Sequence, residues 1–254
     1  MNTSHTFRAG LSASILLASY FLPAGTRALA LSDTMVGSAE FVPDAVGENQ
    51  AAMGLKEALL TSTTDAVNLT GRLNGYFENK AIEILLPQQL QPIATGLRTL
   101  GYGSAVDQFT LSMNRAAEAA APQAGPIFKR AITNMSFTDA ERIVSAGGHS
   151  ATDYFKRQTS DDLRVAFAPI VSRTMDQYNV TKHYDDLLAH SQSGPFAVGG
   201  MLGGVTQNFD LNKYVTQKAL DGLFYVMGQE EIKIRSNPAA QLSPLLRQVF
   251  GNLH

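Results

Sequence analysis

Gly147-Gly148-His149-Ser150 is the run in this chain whose residue types come nearest to a chemical site. Two glycines before a serine read as the start of a helix, where unbonded backbone amides attract an anion. His149, Ser150, Thr152 and Lys156 would add donors to such a site. The structural alternative is that the glycines end one helix and Ser150 caps the next. No P-loop lysine follows the glycines, so nucleotide phosphate has no support. His149 and Asp153 lie four apart and share a helix face, which supplies two of the three or four ligands that zinc takes. His183 and His190 do not complete the set, because Asp185 and Asp186 mark their segment as an ordinary surface helix. No metal and no cofactor is therefore expected, and Asp153 with Arg157 reads most simply as an i, i+4 ion pair.

A second polar group sits in an otherwise apolar stretch, Met113 to Pro122 (MNRAAEAAAP). Arg115 and Glu118 are three apart and can pair along a helix. Asn114, Arg115 and Glu118 should face other helices there, where polar groups must be hydrogen-bonded. That is a fold-specifying role; a catalytic carboxylate would need a partner acid that the spacing does not supply. Glu230, Glu231, Lys233 and Arg235 read as a solvated face near a helix end. Gly101-Tyr102-Gly103 lacks the third glycine of a dinucleotide fingerprint. No Gly-x-Ser-x-Gly and no His-Glu-x-x-His occurs. The absence of cysteine removes thiolate catalysis, disulfides and Cys-ligated zinc together.

The elements that would hold these residues are helical. Met1 to Gly10 carries one cation, Arg8, and Leu11 to Leu22 is a short apolar stretch broken by Pro23 and Gly25. Ala28-Leu29-Ala30 then offers a small-residue exit, and the order is that of a secretory signal peptide over 1–30, cleaved before Leu31. The apolar stretch is too short for a membrane span, which takes about 20 residues. Losing Arg8 and Arg27 takes the basic count from 20 to 18 against 22 acidic residues, a net charge of −4. Such a surface has no electrostatic footprint for nucleic acid. No second apolar run is long enough to span a membrane.

Residues 31–47 read as a flexible arm and 48–254 as one helical domain without repeat or linker. Helices are expected over 48–69, 87–100, 104–121, 125–135, 138–146, 150–158, from Ser160 through a kink at Pro169, 180–191, 211–235 and after Ser243-Pro244. Thr138-Asp139-Ala140-Glu141 has capping-box spacing. The stretch AIEILLP, ending at Pro87, is either a helix end or an extended buried segment. Gly194 to Gly204 (GPFAVGGMLGG) reads as an apolar loop. The fold class is all-α: a single-domain bundle of eight to ten helices with at most one short extended segment.

Several segments together resemble one exported bacterial family, the domain of unknown function 4197. They are GLKEAL (Gly54 to Leu59), ILLP (Ile84 to Pro87), MNRAAEAAAP, TDAERIVSAGGHSATDYFKRQT (Thr138 to Thr159) and PIV (Pro169 to Val171). YVTQKALDGLF (Tyr214 to Phe224), EEIKIRSNPAA (Glu230 to Ala240) and VFG (Val249 to Gly251) complete the order. The resemblance implies a bacterial, exported, mainly helical protein and supplies no activity; the Gly194–Gly204 stretch looks unlike the family's usual connection.

Three functions follow as expectations. The first is an exported, periplasmic, non-catalytic protein that binds an apolar or amphipathic small molecule or an envelope partner. The second is an enzyme in which His149, Asp153 and Glu118 converge. The third is an assembly protein whose alanine-rich helix faces make subunit contacts. The candidate site residues are Asn114, Arg115, Glu118, His149, Ser150 and Asp153.

Overall fold

The computed structural model describes residues 44–178 and 209–236, all in one compact unit. The expected signal peptide, most of the expected arm, the Gly194–Gly204 stretch, His183, His190 and the helices expected over 180–191 and after Ser243 lie outside those residues. Seven α-helices and two 3-10 turns make up the described regular structure, and it contains no strand. They are α1 (Asp44–Gly71), the turn Gln88–Leu90, α2 (Gln91–Thr99), α3 (Gly103–Ala120) and the turn Ala121–Gln123. Then follow α4 (Ala124–Thr133), α5 (Phe137–Ala146), α6 (Ser150–Gln177) and α7 (Leu211–Ser236). The all-α class holds, and the described residues contain fewer helices than the eight to ten expected for the chain.

One reason for the lower count is α6. The expected break at Ser160 does not exist, because the Ser160 hydroxyl donates to the Lys156 carbonyl one turn back instead of capping a new helix. Burial every four residues, at Phe155, Thr159, Leu163, Phe167, Val171 and Met175, carries the helix straight through. Asp161 and Asp162 thus lie mid-helix and pair with Arg164 and Arg130. Pro169 stands inside the helix on its exposed side.

Other ends shift for local reasons. α1 starts at Asp44, within the stretch assigned to the arm. Its polar residues Ser62, Thr63 and Thr70 are buried, each donating its hydroxyl to a carbonyl three or four residues back. Met53 is exposed, so the core face of α1 rests on Leu55, Ala58, Leu59 and Ala66. α3 begins at Gly103 without a Ser104 cap. The cap of α5 is Ser136, two residues before the expected box: its oxygen accepts from the Asp139 amide at 3.1 Å and its proton goes to the Asp139 carboxylate at 2.6 Å. Asp210 caps α7 as its position predicts, accepting from the Lys213 amide.

α7 packs against α1, α3 and α6. Two of its glycines are slots for side chains of other segments. A Cβ at Gly222 would stand 2.5 Å from the Tyr76 ring, and one at Gly228 would stand 2.8 Å from Nδ1 of His149. Around this frame Phe128 meets Phe155 and Phe224 edge-on, with centroids 5.5 and 6.2 Å apart.

Candidate functional site

The polar residues of α3 hold an irregular segment against the bundle. Between α1 and the turn at Gln88 the chain turns through 72–82 and then runs without helix or strand through 83–87, with Pro87 extended at φ −58° and ψ 147°. An extended segment alone has no ladder partner. Asn114 supplies one: its carboxamide oxygen accepts from the Ile84 amide at 2.8 Å, and its nitrogen donates to the Ile84 carbonyl at 2.9 Å. The same nitrogen also reaches the Thr110 carbonyl. On the other side of the segment, the Tyr214 hydroxyl donates to the Leu85 carbonyl. AIEILLP is therefore not a helix end: Ala81 and Ile82 close a turn and 83–87 carry no helix, with Ile82 and Ile84 buried and Leu85 exposed.

Glu118 holds the preceding coil. One carboxylate oxygen accepts from the amides of Tyr76 and Phe77 at 3.1 and 3.2 Å, and the other from the Arg115 guanidinium. Arg115 also donates to Asn74, which sits at φ 64°, and lies 5.9 Å from the centre of the Phe77 ring. Tyr76 is fully buried and donates its hydroxyl to the Ala219 carbonyl. Burial first, and the Glu118 charge second, push that hydroxyl far above its ordinary pKa, so it stays a donor. Asn114, Arg115 and Glu118 have the hydrogen-bonded, fold-specifying role that their setting implies.

The segment so held walls a groove of about 440 Å³ closed on the other side by α2 and α3. Phe77, Leu85, Leu86 and Ala94 give it apolar surface, while Glu83 and the Arg98–Asp107 ion pair line it with charge.

At Gly147-Gly148-His149-Ser150 the glycines end α5, as the structural alternative has it, and the amides of the anion reading are taken by a carboxylate of the chain itself. Both glycines adopt positive φ, 63° and 55°, turning the chain from α5 into α6. The amides of Ala151 and Thr152 and the Thr152 hydroxyl all donate to the Glu231 carboxylate, at 3.0, 2.9 and 2.7 Å. The helix N-terminus thus already holds a carboxylate of its own chain. Arg235 completes the cluster, reaching Glu231 through Nε and a terminal nitrogen, the Ile143 carbonyl and the Ser150 hydroxyl. Ser150 in turn donates to the Ile143 carbonyl.

Glu230, Glu231 and Arg235 are consequently no solvated face: both acids are buried and Arg235 nearly so. Their placement carries a signal that the charge pattern hides. Val215, Ala219, Leu223, Met227, Glu231 and Arg235 recur every four residues, so the acid and the arginine continue a core stripe.

The named candidates fall into two separate groups. Glu118 belongs to the part of α7 around Ala219, through Tyr76, whereas His149 lies against Gly228, about 13 Å further along the helix axis. Glu118 and His149 do not converge. Asp153 and Arg157, four apart on α6, form no ion pair with each other. The alanines offered for subunit contact, Ala116, Ala117, Ala120 and Ala121, are buried in the chain's own core. Among the described residues no helix is long and apolar enough to cross a membrane.

No curated protein and no solved structure matches the chain. The family model described as "Protein of unknown function (DUF4197)" matches residues 45–251, the span that contains both polar clusters and the groove, and the chain belongs to that family.

Proposed function

We propose that the protein is a non-catalytic binder of a single-chain amphipathic molecule, held in the groove between residues 77–86 and helices α2 and α3. The observation that carries this reading is the brace behind the groove. Three polar residues of α3, Asn114, Arg115 and Glu118, are spent on fixing an irregular segment whose other face is groove wall. Fully satisfied buried networks of this kind hold one geometry, and a wall held in advance lowers the ordering cost of binding. The surface it presents suits an amphiphile: apolar side chains for the tail and charged groups for the head.

Leu85 is the residue to test, since it is 57 % exposed and its replacement spares the core. Contact with an apolar tail should contribute about 1.5–3 kcal/mol at most from one leucine. Leu85→Asp is therefore expected to weaken binding of dodecanoate, titrated below its critical micelle concentration in a calorimeter, by about tenfold or more. Equal affinity of the variant and the parent would remove the groove as the site. The same reading places the protein outside the cytoplasm, on the strength of Arg8, the apolar stretch Leu11–Leu22 and Ala28-Leu29-Ala30. N-terminal sequencing of the mature protein should begin at Leu31; a protein that keeps Met1 in the cytoplasm contradicts it.

A further inference from the structure

A second cavity, of about 230 Å³, lies where α5 and α6 meet beyond the Gly147-Gly148 turn. Ile143 and Ala146 give it an apolar side, and its charged groups come in opposite pairs from the two helices. α5 contributes Asp139 and Arg142, loosely joined at 3.7 Å. α6 contributes Asp153 and Arg157, both exposed, and neither makes an ion pair or side-chain hydrogen bond among the described residues.

Tyr154 points to a ligand. The residue is 7 % exposed, with its ring packed edge-on against Phe155 at 5.6 Å. Its hydroxyl has no hydrogen-bond partner among the described residues, yet it is not sealed from solvent. Tyr154 lines the cavity together with Asp139 and Arg157. Burial and Asp139 raise its pKa, with Arg157 opposing, and it remains a protonated donor at neutral pH.

We propose that this cavity is a binding site for a small zwitterion of the α-amino-acid class, with its carboxylate on Arg157 and the Tyr154 hydroxyl and its ammonium on Asp153. The lining carries two acids and two bases, so a ligand with no net charge leaves none of them uncompensated. The planar guanidinium of Arg157 matches a carboxylate in two-point geometry. The Tyr154 hydroxyl, which has no protein partner among the described residues, exchanges solvent for the ligand carboxylate on binding. The cavity is smaller than the roughly 300–1,000 Å³ of most drug-sized ligand sites, and Ile143 with Ala146 favours an aliphatic side chain. The site is separate from the groove and does not depend on it.

The test uses the mature protein, isotopically labelled, titrated with L-leucine and with its two halves: 4-methylpentanoate, which lacks the amine, and isopentylamine, which lacks the carboxylate. L-leucine should give saturable amide shifts centred on Ala146, Tyr154 and Arg157, with both halves weaker by about tenfold or more. Arg157→Gln should abolish saturable binding, and Tyr154→Phe, which keeps the ring packing, should weaken it several-fold. Leu85→Asp should leave it unchanged. Absence of saturable shifts with L-leucine, equal binding of either half, or unaltered binding by Arg157→Gln overturns the proposal.

Discussion

Glu231→Ala is expected to lower the unfolding free energy by about 3–5 kcal/mol, the range for breaking a buried charge pair by removing one partner. The substitution strips the acceptor from two amides, a hydroxyl and a guanidinium at once. Arg235, with its side chain only 12 % exposed, loses the Glu231 carboxylate where little solvent screening compensates. Were these residues the solvated helix face that their charges suggest, the change would fall within about 0.5 kcal/mol. Urea denaturation of the purified variant separates the two outcomes. Domains of this kind have about 5–15 kcal/mol in total, so the variant should remain folded at low temperature and melt well below the parent.

Glu118→Ala is expected to cost a similar amount, about 3–5 kcal/mol, and to do something that Glu231→Ala does not. It releases the Tyr76 and Phe77 amides and leaves Arg115 with Asn74 and the Phe77 ring for company. Phe77 lines the groove, so the loss should spread to binding. Dodecanoate affinity, measured at a temperature where the variant is still folded, should fall in Glu118→Ala and stay at the parent value in Glu231→Ala. A Glu118 variant that is destabilised but binds like the parent would separate the brace from the groove and weaken the functional reading.

The parts of the fold written in local periodicity were legible. The course of α3, the Asp210 cap of α7 and the turn at Gly147-Gly148 follow from apolar spacing and cap chemistry within a few residues. The burial of Asn114 and Glu118 was also legible, because polar groups inside an alanine-rich run have nowhere else to go. What could not be read locally were choices settled by distant partners. Ser160 looks like a cap, and only the continuing buried stripe of α6 overrules it. Glu231 looks like surface charge, and its partners lie about 80 residues away in the chain. The N-terminal amides of α6 looked available to an outside anion for the same reason. Residues 83–87 had no visible strand partner because the partner is a side chain, Asn114, thirty residues on.

The claim that the braced groove is the binding site is tested most directly by following the backbone amides of the protein during titration with dodecanoate below its critical micelle concentration. Saturable shifts should concentrate at Phe77, Leu85, Leu86, Ala94, Arg98 and Thr110, and should leave α6 and the C-terminal half of α7 unmoved. Shifts that fail to saturate, or that gather away from these residues, would contradict it.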